Sequence, residues 1–254
     1  MVLIPHRTRQ EIDLMRQAGR IVAGVLALME EELKPGVTTA ALDALAEDYI
    51  RKAGARPSFK GYPGSYSNYP ASICVSIDDE VVHGIPGSRV IEEGQLVSVD
   101  AGAIWKGYHG DGARTFYVGT PPPDVARLID TTRLALMAGI AAAVPGAHVN
   151  DVSGAVEDVA VEGRCDIVRP YVGHGIGTKM HEDLQVPNYR TGRPGAELVP
   201  GVCIAIEPML ALGSADVETL PDGWTVVTTD HSLAAHFEHT IAVTENGPVV
   251  LTTA

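Results

Sequence analysis

From Thr8 onward the apolar residues Ile12, Met15, Ile21, Val22, Val25, Leu26 and Leu28 recur at roughly helical spacing, and the run stops at Lys34-Pro35-Gly36. That spacing predicts a long amphipathic helix ended by a proline and a glycine. A second helix is expected next, capped by Thr38 or Thr39, with Leu42, Leu45, Ala46 and Tyr49 on one face and Gly54 and Pro57 at its end. Between 58 and 120 the pattern changes to short β-branched runs, Ile73 to Ile77, Leu96 to Val99 and Thr115 to Val118, set between Gly- and Pro-rich turns. Such runs predict antiparallel sheet. Residues 124–166 return to a helical pattern and 200–251 to a strand pattern, so the expected fold class is α+β.

Residues repeat along with the order of elements. Pro35-Gly36 followed by Glu47-Asp48 recurs 110 positions later as Pro145-Gly146 followed by Glu157-Asp158. Gly94-Gln-Leu-Val-Ser-Val-Asp100 recurs 107 positions later as Gly201-Val-Cys-Ile-Ala-Ile-Glu207, and each copy ends in a carboxylate. The period is too long for a solenoid. It predicts one domain over 1–254, made of pseudo-symmetric halves at 8–120 and 121–254 with a site between them.

On the first of these strands Val97 and Val99 point to one face and Ser98 and Asp100 to the other; on the second, Ile204 and Ile206 oppose Cys203, Ala205 and Glu207. The branched side chains would pack against helices, and the small neighbours leave room beside each acid. A hairpin centred between Trp105 and Lys106 is expected to set Asp111 directly across from Asp100 on the same face. Opposed like charges destabilise a sheet unless a cation lies between them, and a divalent ion is the natural remedy. A single acid at a strand end is more often a solvated neighbour of a turn, and a lone histidine more often a satisfied polar group. Here Asp100, Asp111 and Glu207 are joined by His174, flanked by glycines in Val-Gly-His-Gly-Ile-Gly, and by Glu238 in the strand-like Ala-His-Phe-Glu-His-Thr. This oxygen-rich set suits two ions about 3.5–4 Å apart that share carboxylates, with Mn, Fe or Co a better match than a structural zinc. Such a pair acidifies a water held between the ions and stabilises the oxyanion formed when that water attacks an amide, so metal-assisted hydrolysis is the expected reaction class. His181-Glu182 does not open an HExxH motif because position 185 is Gln185, and no GxSxG, GxxxxGK[ST] or GxGxxG motif is present.

Composition narrows the partners. The 254 residues carry a net charge of −13, with +1 over residues 1–60 and −14 over 61–254. Nucleic-acid backbones and anionic membranes are poor partners for such a surface, so neither DNA nor a membrane is expected. Cys74, Cys165 and Cys203 are odd in number and have no CxxC spacing, which fits a reducing cytoplasm. Met1 to Gln10 contains no apolar signal core, and the runs Ile21 to Met29 and Leu134 to Val144 are too short to span a bilayer, so a soluble, unexported protein is expected.

Several motifs together resemble the type I methionine aminopeptidases, metallopeptidases of the pita-bread fold. They are Val-Val-His83-Gly-Ile-Pro, Val-Asp100, Gly-Tyr-His-Gly-Asp111, Gly-His174-Gly-Ile-Gly, His181-Glu182, Ala-Ile-Glu207-Pro-Met and Phe-Glu238-His-Thr, spread from about Thr8 to Val250. The resemblance implies removal of the initiator methionine from nascent polypeptides whose second residue is small. It implies that Asp100, Asp111, His174, Glu207 and Glu238 hold two divalent ions (Co, Mn, Fe or Zn), with Asp111 and Glu238 bridging. It assigns His83 and His181 to substrate handling, Glu207 to proton transfer as well as ligation, and Tyr62, Cys74, Trp224 and Met180 to a pocket for the methionine side chain. Without the resemblance, His83 before Gly-Ile-Pro would read as a polar turn residue and Trp224 as an aromatic opening a strand.

This sequence departs from the family pattern in places. Met180 stands where other members have Phe, which should alter the pocket's shape without removing its preference. The stretch 61–70 is longer than expected, leaving Tyr62, Tyr66 and Tyr69 as alternatives for one position. Asp78 replaces the usual Asn where the family admits a monovalent-cation site. The expected state is a cytoplasmic monomer, with the slightly basic first 60 residues a candidate for transient ribosome contact. An Xaa-Pro peptidase of the same fold would be expected to carry a large extra N-terminal domain, and a catalytically inactive binding module would be expected to have lost ligands.

Overall fold

Thr8 starts the first helix because its hydroxyl accepts from the Glu11 N–H at 3.3 Å while the Glu11 carboxylate accepts from the Thr8 N–H at 2.8 Å. This reciprocal cap opens α1 (Arg9–Glu32), which buries Ile12, Met15, Val22, Val25, Leu26 and Met29. The structure, a computed structural model, describes residues 4–254, so the first three positions of the Met1–Gln10 stretch lie outside the described residues. Thr38, of the two threonines left open, caps α2 (Thr39–Lys52); the Thr39 hydroxyl instead exchanges hydrogen bonds with the Gly87 backbone.

The first set of strands follows: β1 (Arg56–Pro57), β2 (Ile73–Ile77), β3 (Glu80–Val82), β4 (Leu96–Trp105) and β5 (Tyr108–Tyr117). Two helices, α3 (Pro123–Ala142) and α4 (Val149–Glu162), lead to β6 (Asp166–Ile167), β7 (Gly173–Gly175), β8 (Glu182–Val186), β9 (Cys203–Ile206) and β10 (Met209–Ala211). The chain ends with β11 (Val217–Thr219), β12 (Val226–Thr228), β13 (Ala234–His236), β14 (His239–Thr244) and β15 (Gly247–Val250). β4 pairs with β1, β2 and β5, and a second sheet runs β15-β14-β9-β7-β8. Every described pairing is antiparallel.

Local construction recurs at the offsets seen in the sequence. α2 and α4 each have 14 residues and start 110 positions apart, at 39 and 149. Each follows a turn whose glycine, Gly36 or Gly146, is left-handed and donates its N–H to a carbonyl, of Ile91 or Leu198 respectively. Pro57 of β1 pairs with Ala103 of β4, and Ile167 of β6 with Leu210 of β10. In the first half Val22, Val25, Leu42 and Ile50 pack on Ile73, Val75, Val97 and Val99; in the second Leu128, Leu136, Val152 and Val156 pack with Ile204, Ile206, Ile241 and Val243. Each such side chain contributes about 1.5–3 kcal/mol on burial, so the helices are fixed to one side of the sheets and the acids are left on the other.

The β4–β5 hairpin corrects one expectation. Asp111 lies opposite Gly102, and Asp100 opposite Ala113, two positions from the expected pairing. The chain reverses at Lys106-Gly107, both with positive φ (48° and 87°), because the two-residue hairpin turn that matches strand twist needs left-handed backbone and glycine provides it most easily. A shift of two keeps the parity, so both carboxylates still face the same way.

Candidate active site

Ala113 is the residue around which the acids gather. On one side it pairs with Asp100, and on the other it exchanges backbone hydrogen bonds with Glu238, at 2.9 and 3.3 Å. Glu238 sits in the break between β13 and β14, and the β9–β14 ladder, in which His239 pairs with Ile206, brings Glu207 alongside it. Pro208 follows Glu207 and cannot donate to a ladder, so β9 ends and Glu207 is released from it. The Thr240 hydroxyl ties down the Asp111 backbone through both its N–H (2.9 Å) and its carbonyl (2.8 Å). Carboxylates from both sheets thus converge on His174 of β7.

His174 Nε2 lies 3.5 Å from Glu207 Oε1 and 3.8 Å from Asp111 Oδ2, and donor atoms of Asp111, His174 and Glu238 lie within 4.8 Å of one another. His174 Nδ1 is 2.9 Å from the Gly175 carbonyl, which can only accept; Nδ1 therefore carries the proton. Burial pushes the His174 pKa down to about 3, so the ring is neutral and Nε2 turns a lone pair toward the carboxylates. The acids are pushed the opposite way. Asp111 rises to about 7 through burial, and Asp100, Glu207 and Glu238 rise well above the carboxylate range through burial first and their neighbours' charges second. Among the described residues Asp100 Oδ1, Asp111 Oδ1 and Glu238 Oε1 are buried with no hydrogen-bond partner. Lone pairs and anionic oxygens facing each other without a donor between them are a poor arrangement for a bare protein and a good one for divalent cations. The residues present fit a metal.

A cavity of about 180 Å³ opens from this cluster. The β2–β4 register pairs Cys74 with Asp100, placing a small apolar group directly beside the acids, and burial raises the Cys74 thiol so that it stays neutral. Phe59, Tyr69, Met180 and Trp224 continue the wall; the Tyr69 ring packs edge-on against Trp224 at 5.1 Å and its hydroxyl donates to the Gly84 carbonyl at 2.9 Å. Of the three tyrosines in the long stretch, Tyr62 and Tyr69 line the cavity and Tyr66 is 89% exposed. Tyr62 Oη lies 2.6 Å from His181 Nδ1, and the His181 and His174 rings are 4.1 Å apart. His83, lowered to about 4 by burial, faces Trp224 and Tyr171 from a left-handed backbone (φ 63°). That conformation is strained for a residue with a Cβ, and such strain clusters at functional sites. Every predicted site residue therefore lines one cavity: His83, His181, Glu207, Tyr62, Cys74, Met180, Trp224, Asp100, Asp111, His174 and Glu238. Asp78 does not; its carboxylate accepts from the Leu96 N–H at 3.0 Å.

Residues 13–245 match metallopeptidase family M24. The chain is 51% identical over 255 residues to the methionine aminopeptidase of Clostridium acetobutylicum, covering 99% of each chain. It is 47% identical over 250 residues to methionine aminopeptidase 1 of Bacillus subtilis, covering 98% of this chain and 99% of that one. The crystal structure of the Thermotoga maritima methionine aminopeptidase superposes with a TM-score of 0.95 at 40% identity, covering 99% of this chain and all of that one. The chain belongs to the methionine aminopeptidases of family M24. Its fold is the α+β pita-bread fold of that family, and membership in a metallopeptidase family agrees with the donor set around Asp111, His174 and Glu238.

Within this methionine aminopeptidase fold, Phe59, Val82, Tyr171, Val172, Met209 and His236 also line the cavity and were not expected from the sequence. His236 had a signal. It stands two residues before Glu238 on a strand-like run, so period-two alternation puts both on one face, and its Nε2 reaches to 4.0 Å from Glu207 Oε2. Phe59 and Tyr171 come from loops, where no periodicity marks a direction.

Proposed function

We propose that the chain removes the N-terminal methionine of newly made polypeptides by metal-assisted hydrolysis, preferring a small second residue. The carrying observation is the Cys74–Asp100 pairing, which joins an apolar cavity for an unbranched side chain to a buried carboxylate and imidazole cluster. Asp100, Asp111, His174, Glu207 and Glu238 would hold two divalent ions, drawn from Co, Mn, Fe or Zn, with Asp111 and Glu238 shared. Bound there, the ions supply Lewis acidity and positive charge against the negative charge that develops on the scissile amide oxygen.

The chain's own groups do the rest. Burial keeps the Tyr62 hydroxyl protonated and the His181 ring neutral; with that hydroxyl as the donor to His181 Nδ1 across 2.6 Å, the ring proton lies on Nε2. From there it can donate to the substrate carbonyl. The neutral His83 hydrogen-bonds the departing amide, and Glu207 takes the proton of the attacking water and passes it to the departing amine. Phe59, Tyr69, Met180 and Trp224 exclude water from the methionine side chain and select its unbranched thioether. In this reading one catalytic domain is formed by halves 8–120 and 121–254 acting as a monomer in the cytoplasm, with residues 1–60 as the candidate ribosome-contacting region. No described helix is long and apolar enough to cross a membrane.

The test is methionine release from Met-Ala-Ser by the Mn- or Co-loaded protein, compared with hydrolysis of Ala-Pro-Ala. Cleavage of the first peptide alone is expected. Absence of release with metal bound, or preference for the second peptide, overturns the reading.

A further inference from the structure

His181 and Met180 reach the cavity from residues 176–182, a segment with little regular structure whose Thr178 and Lys179 are exposed. Such a segment needs external support if its side chains are to be held in place. From one side β5 supplies it: the His109 N–H donates to the Gly177 carbonyl at 2.8 Å. From the other side comes Arg7, which precedes the Thr8 cap of α1. Its backbone N–H donates to the Gly201 carbonyl at 2.7 Å, and Gly201 is left-handed (φ 96°), a conformation in which a Cβ would lie 2.9 Å from the Arg7 carbonyl oxygen. So anchored, the Arg7 guanidinium forms an ion pair with Glu182, the residue after His181, with both side chains 9% exposed. Glu182 Oε1 also accepts from the Thr178 N–H at 3.2 Å, which closes the segment on itself. The guanidinium lies so tightly against Gly177 that a Cβ there would overlap it.

An ion pair this buried is costly to desolvate, and apolar groups of similar volume would often stabilise the fold as well or better. Arg7 Nε is buried without a partner among the described residues, a further cost. Position, more than stability, is what the arrangement supplies. We propose that Arg7 is a positioning residue for hydrolysis: through Glu182 and Gly177 it sets segment 176–182 so that His181 faces the scissile amide. The proposal rests on the aminopeptidase reading above and adds a residue that neither touches substrate nor lines the cavity.

A double-mutant cycle tests it. Arg7→Met is made in the wild type and in His181→Ala, with kcat, KM, metal content and thermal midpoint measured on Met-Ala-Ser. In the wild type Arg7→Met should lower kcat about tenfold or more, the scale of a misplaced catalytic group, with KM and metal content little changed. In the His181→Ala background it should cause no further loss. An equal loss in both backgrounds, or no loss in either, overturns the proposal while leaving the aminopeptidase reading intact. If Arg7→Met does not fold, Glu182→Gln, which keeps the shape and removes the charge, goes through the same cycle. A readout independent of turnover is the imidazole 15N resonances: Arg7→Lys should shift those of His181 and leave those of His236 in place. Unchanged His181 resonances would likewise overturn the proposal, whatever the chain hydrolyses.

Discussion

His174 is oriented by a backbone carbonyl on one ring nitrogen and confronted by carboxylates on the other, so its neighbourhood is tolerable only with positive charge between them. Asp111 stands within reach of both His174 and Glu238, as the proposed sharing of its carboxylate between two ions requires. Removing even an outer partner of a metal ligand costs about 10–100-fold in affinity or activity, and Asp111→Asn, which removes a ligand's charge, should exceed that. Metal titration by calorimetry with parallel peptide assays checks it, and near-normal affinity for two ions would contradict the shared role. The same carboxylates give the metal-free protein a pH dependence. Their folded pKa values lie above the unfolded ones, with Asp111 near 7 against 3.8, so over that window the folded state holds protons that the unfolded state has released. Stability of the chelated protein therefore falls as pH rises from the ordinary carboxylate range toward 7. Thermal midpoints in chelator across that range should decline, and less steeply in Asp111→Asn.

At the scale of elements, the N-terminus of α1 is the most heavily tied helix end. The Glu11 carboxylate accepts from the Thr8 backbone and hydroxyl, and from the Tyr108 hydroxyl at 2.8 Å, which holds its pKa down to about 2. Because the folded pKa is lowered, this contribution is fully present above the unfolded value of 4.5 and is lost as pH falls toward 2. Thr8→Ala should cost about 1 kcal/mol in urea unfolding at neutral pH. Glu11→Gln should be destabilised at neutral pH and converge on the wild type in acid. The β4–β5 turn gives a second test of an element. Gly107 has φ 87°, where an alanine pays about 1–2 kcal/mol, so Gly107→Ala should lose that much stability while keeping metal affinity.

Across the whole molecule, the candidate ligands come from segments far apart in the chain: Asp100 and Asp111 from β4 and β5, His174 from β7, Glu207 from just beyond β9 and Glu238 from the break between β13 and β14. At the site these sheets are joined by the Ala113–Glu238 backbone contact and by the Thr240 hydroxyl bound to the Asp111 backbone. Metal bound across this joint favours the folded state by about 2.7 kcal/mol at a hundredfold excess over Kd. For a chain of this length that corresponds to about 5–10 °C in thermal midpoint, so chelation should lower the midpoint by that amount in a differential scan. An unchanged midpoint would mean that the cluster holds no metal.

Much of this was legible in one dimension. The course of the first helix, a threonine cap on the second, the strand runs and the face on which Asp100, Asp111, Glu207 and Glu238 stand follow from local periodicity and from which residues tolerate particular backbone conformations, whereas the second helix buries Leu42, Ala46 and Ile50 and leaves Leu45 and Tyr49, expected on the same face, exposed. Those preferences act over a few residues and survive any tertiary arrangement. The pairing of Asp111 with Gly102, the choice of Tyr62 and Tyr69 over Tyr66, the presence of Phe59, Tyr171 and Met209 in the cavity, and the reach of Arg7 to Glu182 were decided only by packing. Each depends on contacts between segments far apart in sequence, many of them loops without periodicity, where the energy that selects one arrangement arises only when the sheets and helices have already closed around it.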